Sequence, residues 1–95
     1  MIKHIVCFKL SEPSKEACEK ARDVLLSMNG NVPSAKHIEV GIDFLHSNRS
    51  YDLILMVDIE DGQLDTYAND KYHCEVVKTH MHAVCASSVT VDYNY

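Results

Sequence analysis

The segment IKHIVCFKL, residues 2–10, alternates with period two, yet both of its faces are apolar at the centre. Ile2, His4, Val6, Phe8 and Leu10 share one side, while Ile5 and Cys7 lie on the other between Lys3 and Lys9. A strand with one face in water carries polar residues along that face. This pattern instead predicts a strand that is central in its sheet, or covered on both sides. Whatever fold the chain adopts must supply both covers.

The remaining periodicities say what those covers are. SEPSKEACEKARDVLLSMNG reads as a helix, with Ser11 or Ser14 as N-cap and Glu12 and Glu16 near its positive end. Ala17, Cys18, Ala21, Val24, Leu25 and Met28 form its apolar stripe, Asn29-Gly30 stops it, and Pro33 prevents a restart. AKHIEVGIDF and YDLILMVDIE alternate again, separated by the polar turn LHSNRS. In the second of these, Tyr51, Leu53, Leu55, Val57 and Ile59 share a face, and Ile54 and Met56 lie behind them. DGQLDTYANDKYHCEVVKTHM is helical with an interruption near Asn69-Asp70, its second stripe being Tyr72, His73, Val76, Val77 and His80. AVCASSVTVDYNY closes as a strand with Cys85, Val89, Val91 and Tyr93 in one register, and its tail is expected to reach toward a partner subunit.

The order strand, helix, strand, strand, helix, strand defines an α+β, ferredoxin-like βαββαβ domain: a four-stranded antiparallel sheet with two helices on one face. Ninety-five residues leave room for one core, so residues 1–95 form a single domain. Two helices cover only one face of four strands. The uncovered face would expose a contiguous apolar patch, and the simplest cover is a second copy packed sheet to sheet, so a homodimer through the open face is expected.

Charge and composition exclude several partners. The formal charge is −5, and the nine Lys and Arg residues are scattered rather than clustered, which argues against nucleic acid. No run of 18 apolar residues is present to span a membrane. The N-terminus reads as a strand rather than a signal peptide, and Cys7, Cys18, Cys74 and Cys85 include no CxxC pair, so reduced thiols in the cytoplasm are expected. His37, His46, His80 and His82 lack the spacing of a zinc site, so no metal is expected. Asp58, Glu60, Asp61 and Asp65 are expected to cap the second helix and keep a strand end soluble.

MIKHIVCFKL at the start, YDLILMVDIED in the middle, the Tyr67…His73 segment and the closing VTVDY resemble the stress-responsive A/B barrel (Dabb) family along the whole chain. The resemblance implies a dimeric α+β barrel. It also implies kinship with stress-induced plant proteins, bacterial proteins of unassigned reaction and a plant polyketide cyclase that carries out a cofactor-free aldol condensation. His4 matches a pocket histidine on the first strand, Tyr67 a pocket tyrosine, and His73 the histidine that resembles the general acid/base. The chain departs from the family in carrying Asp70-Lys71 where His-Pro is frequent, and in lacking the cyclase's tyrosine on the first helix.

If His4's strand face meets the helices, as the resemblance implies, its imidazole sits in an apolar pocket with His73 across the cavity. His73 is then the expected base, Tyr67 an orienter or oxyanion donor, His4 a polar wall, and Tyr72 a further ligand contact. The expected function is binding of a small organic ligand without a cofactor. Two alternatives stand beside it: a cofactor-free lyase, cyclase or isomerase, and a non-enzymatic stress-linked dimer in which His4, Tyr67 and His73 form a satisfied core network. A metal- and flavin-free monooxygenase is a third, which no residue selects.

Overall fold

A computed structural model describes residues 1–95 and carries the expected order of elements. β1 (Ile2–Leu10) leads to α1 (Lys15–Leu26), then β2 (His37–Ile42), β3 (Leu53–Ile59), α2 (Leu64–Ala68), α3 (Thr79–Val84) and β4 (Cys85–Asn94). A π-helical stretch, His73–Lys78, runs directly into α3. The sheet is antiparallel throughout, in the order β2-β3-β1-β4. β1 is therefore central, as its two apolar faces require.

Register assigns the faces. His4 lies opposite Val57 and Asp92, Val6 opposite Leu55 and Thr90, and Phe8 opposite Leu53 and Ser88. Directly opposed residues share a face, so this set looks toward the helices. Leu25 from α1, Met28 from the turn after it, Val57 and Ile59 from β3, and Val77 and Met81 from the second helical run fill the space between the layers. Ser14 starts α1 by accepting the Ala17 N–H at 3.1 Å. Such a cap contributes about 1 kcal/mol, whereas each fully buried Leu or Met contributes roughly 1.5–3 kcal/mol. Packing, with the cap fixing only where it starts, holds α1 in place. At the far end Gly30 takes the left-handed backbone (φ 85°) that reverses the chain.

Asp52 is the one charged side chain in the core. Its carboxylate accepts the Leu10 N–H at 2.8 Å, and its own N–H donates to the Phe8 carbonyl at 2.8 Å. It thereby satisfies backbone groups where β1 leaves the sheet.

The other face is bare. Ile5 and Cys7 of β1 sit beside Ile54 and Met56 of β3 and beside Val89 and Val91 of β4. Val89 is 49% exposed and Val91 61%.

Several local expectations are corrected. Pairing of β1 with β4 shifts where Lys9 opposes Ser87 but Leu10 opposes Cys85. Ala86 is the extra residue of a β-bulge, and it turns Cys85 to the helix side while Val89, Val91 and Tyr93 face outward. The single register from Cys85 to Tyr93 is thus broken. In the second helical run Val76 is 41% exposed, whereas Val77 and Met81 are buried. The wider π turn rotates the stripe away from the α-helical spacing. Of the acidic cluster only Asp65 lies in the first turn of α2, whose N-cap, Gln63, makes no side-chain bond. Asp58 instead pairs with Lys3 at 2.6 Å, and Asp61 with the N-terminal amine at 3.2 Å. Asp58 also accepts the Tyr95 hydroxyl at 2.6 Å, which pins the C-terminal tail to its own chain.

Candidate functional site

The break at Asn69-Asp70 ends α2 and starts the next helical run. The Asp70 carboxylate accepts the His73 N–H at 3.0 Å, and its carbonyl accepts the Cys74 N–H at 2.9 Å. That is the geometry of a helix N-cap. It fixes His73 in the first turn, directly above the last turn of α2, which carries Tyr67.

Tyr67, His73 and His4 come together. The Tyr67 ring centroid lies 5.4 Å from that of His4, nearly edge-on, and 4.5 Å from that of His73. Tyr67 is 1% exposed, and its hydroxyl donates to Met28 Sδ at 3.7 Å rather than to any group of the two imidazoles. Burial drives the phenol well above its usual range, and the nearby carboxylates of Asp70 and Asp92 push the same way. The ring stays neutral and acts as a wall between the histidines.

The two imidazoles are anchored differently. His4 Nδ1 meets Asp92 Oδ1 at 2.5 Å. A carboxylate accepts, so Nδ1 carries the proton, and in the neutral ring the lone pair then lies on Nε2, which has no protein partner. His73 Nδ1 lies 3.4 Å from the Ala68 carbonyl, which likewise can only accept. Burial holds His73 below the ordinary histidine value; the Ala68 contact opposes this, and the charges of Lys78 and His4 add to it. His73 is thus a neutral imidazole near physiological pH.

Between sheet and helices is a cleft of about 290 Å³, with His4 and His73 on its wall and Tyr67 between them. Val6, Phe8, Leu55, Leu64, Val77 and Met81 supply most of the remaining lining, and Lys78, His82, Cys85 and Ser88 are also part of it. Ligand sites span roughly 300–1,000 Å³, so this one suits a small molecule. α1 packs over β2 and β3, whereas β4, which carries Asp92, is exposed along almost its whole length.

Tyr72 does not join this group. It lies outside the lining, and its hydroxyl donates to Ser27 Oγ at 2.8 Å, tying the second helical run to α1. Asp92 was the residue that sequence patterning missed. Its signal was present in the Ser88, Thr90, Asp92, Asn94 alternation, but only the pairing of β4 with β1 shows that this polar stripe faces His4. Of the remaining histidines only His82 reaches the cleft. No group of three or more His, Cys, Asp or Glu side chains is arranged to hold a metal ion, and all four cysteines are free thiols. No helix is long and apolar enough to cross a membrane.

Fold and site together define a small ferredoxin-like α+β domain with a histidine-lined cleft between its layers. The chain belongs to the stress-responsive A/B barrel domain family, whose profile matches residues 2–95. No sequence among curated proteins matches it. Among solved structures it is similar to a dimeric protein of unknown function and ferredoxin-like fold from Bacteroides fragilis (20% identity, TM-score 0.82, covering 99% of this chain and 95% of that one). It is also similar to a protein from Arabidopsis thaliana (18% identity, TM-score 0.85, covering 100% and 95%). A third is the hydroxynitrile lyase from Passiflora edulis (14% identity, TM-score 0.79, covering 97% and 90%).

Proposed function

We propose that this protein is a homodimeric, cofactor-independent pocket protein that binds a small organic carbonyl compound between sheet and helices and moves a proton on it. The observation that carries this reading is the His4–Asp92 pair at 2.5 Å, facing an apolar cleft that also holds His73.

The proton chemistry follows from the anchoring. Asp92 orients His4 and is placed to stabilise the positive charge that develops when Nε2 accepts a proton. His4 is therefore the better-supported base. His73, kept neutral by burial, is the second polar contact for the substrate oxygen. The roles thus divide differently from the sequence expectation, which gave the base to His73. The apolar lining excludes water and strengthens each of these contacts. A lyase among the structural neighbours fits chemistry of this kind on this fold.

Dimerisation rests on the bare face. Ile5, Ile54, Met56, Val89 and Val91 form a contiguous apolar surface on the side of the sheet away from the cleft. A second copy would cover it without closing the cleft mouth, and the description of the Bacteroides fragilis neighbour as dimeric accords with this.

Phenylacetone, a small ketone with exchangeable protons beside its carbonyl, tests the reading. In D₂O the wild-type protein is expected to accelerate deuterium uptake at those carbons, and His4→Gln to lower that rate by about 10²-fold. Exchange no faster than in buffer, or exchange untouched by His4→Gln, overturns the acid–base assignment.

A further inference from the structure

The cleft mouth carries a charge that the proton chemistry does not use. Lys78 lines the cleft beside His82, one helical turn further along the same run. The polar groups deeper in the cleft have fixed partners: His4 holds Asp92, and His73 lies against the Ala68 carbonyl, with its own N–H on Asp70. Lys78 takes part in none of the chain's ion pairs and in no side-chain hydrogen bond. It is half-buried, its stem against the apolar wall. Its charge is also felt at His73, so the ammonium lies within electrostatic reach of the reacting groups.

Resting on the cleft reading above, we infer that the ligand is an oxo acid: an apolar aryl or short alkyl body bearing the carbonyl in the cleft, with a carboxylate held by Lys78 and His82 at its mouth. The acid group stays at the rim where water still reaches it, the hydrocarbon part fills the interior, and the carbon to be deprotonated comes under His4 Nε2. A carboxylate replaces the missing partner of Lys78 without requiring full burial of either charge, which would be costly.

The probes are phenylacetate and phenylacetone, which share a body and differ in carboxylate against methyl ketone. Titration followed by NMR, reading the His4 and His73 ring resonances, gives both affinities and locates binding. Wild type is expected to bind phenylacetate about fivefold to tenfold more tightly, the scale of one charge-assisted contact at a partly exposed site. Lys78→Met keeps the stem and removes the charge, so it should weaken phenylacetate alone and erase the preference. Raising the salt concentration on wild-type protein should narrow the gap in the same direction, and this needs no variant to fold. Equal affinities, or a preference for the ketone, with both probes perturbing the two histidines, overturn the oxo-acid inference and leave the cleft reading standing. If neither probe perturbs them, both fall.

Discussion

Tyr67 offers the sharpest separation between packing and chemistry. Its ring is wedged between His4 and His73, and its hydroxyl reaches only Met28 Sδ at 3.7 Å. Removing the hydroxyl orphans nothing but a weak sulfur acceptor, so Tyr67→Phe should cost at most about 0.5–1 kcal/mol. Removing the ring empties a site that is 1% exposed, and truncation of a buried aromatic costs about 3–5 kcal/mol. For a domain this small each kcal/mol moves Tm by roughly 4–8 °C. Tyr67→Ala should therefore melt about 12 °C or more below wild type, or fail to fold, while Tyr67→Phe melts within a few degrees of it. Circular dichroism melts read the stability, and the phenylacetone exchange assay reads the chemistry on the same samples. Tyr67→Phe should keep exchange within about twofold of wild type, since less than 0.5 kcal/mol of barrier is at stake. A Phe variant that melts normally but loses exchange tenfold or more would refute the packing role, because the hydroxyl would then have to turn toward the substrate.

Asp92→Asn should leave the fold intact, because Asp92 lies on an uncovered part of β4, yet lower the exchange rate by about 10²-fold or more through loss of the His4 tautomer and its counter-charge; exchange at the wild-type rate would remove the dyad from the mechanism. Val91→Asp places a charge on the bare sheet face and should yield a folded monomer in sedimentation, whereas a wild-type protein already monomeric at micromolar concentration would sink the dimer. His73 is held below its ordinary value of 6.5 by burial, so on acidification the unfolded chain takes up this proton first. Stability should therefore fall as pH drops below 6.5 toward the folded value, and His73→Gln should flatten that part of a denaturant-midpoint profile.

Much of the architecture was legible because burial repeats along the chain. The doubled apolar pattern around Ile5 and Val6 placed β1 in the sheet's interior, and the stripe through Cys18, Ala21 and Leu25 gave α1 its buried face. His4, Tyr67 and His73 emerged from the resemblance, and the structure gathers them around one cleft. What escaped was what depends on a change of phase. One extra residue at Ala86 reverses which side chains of β4 look inward, and one wide turn from His73 to Lys78 rotates the helix surface. Periodicity within a segment is blind to both, since each side of the irregularity still alternates correctly. Asp92 was hidden for that reason, and Tyr72 looked like a pocket residue because nothing local reveals its bond to Ser27.

The bulge at Ala86 also ties two properties of the molecule to a single position. The same half-step that aims Asp92 at His4 sends Val91 and Tyr93 to the opposite surface. Pairing β4 without the bulge, so that Ala86 rather than Ser87 lies opposite Lys9 while Cys85 stays opposite Leu10, would swap the two sets, putting a carboxylate on the prospective contact between copies and hydrophobic groups where the proton relay stands. Substitutions can tune either property alone, but straightening the strand with Ala86 retained would strike both together, whereas deleting Ala86 would keep both sets in place.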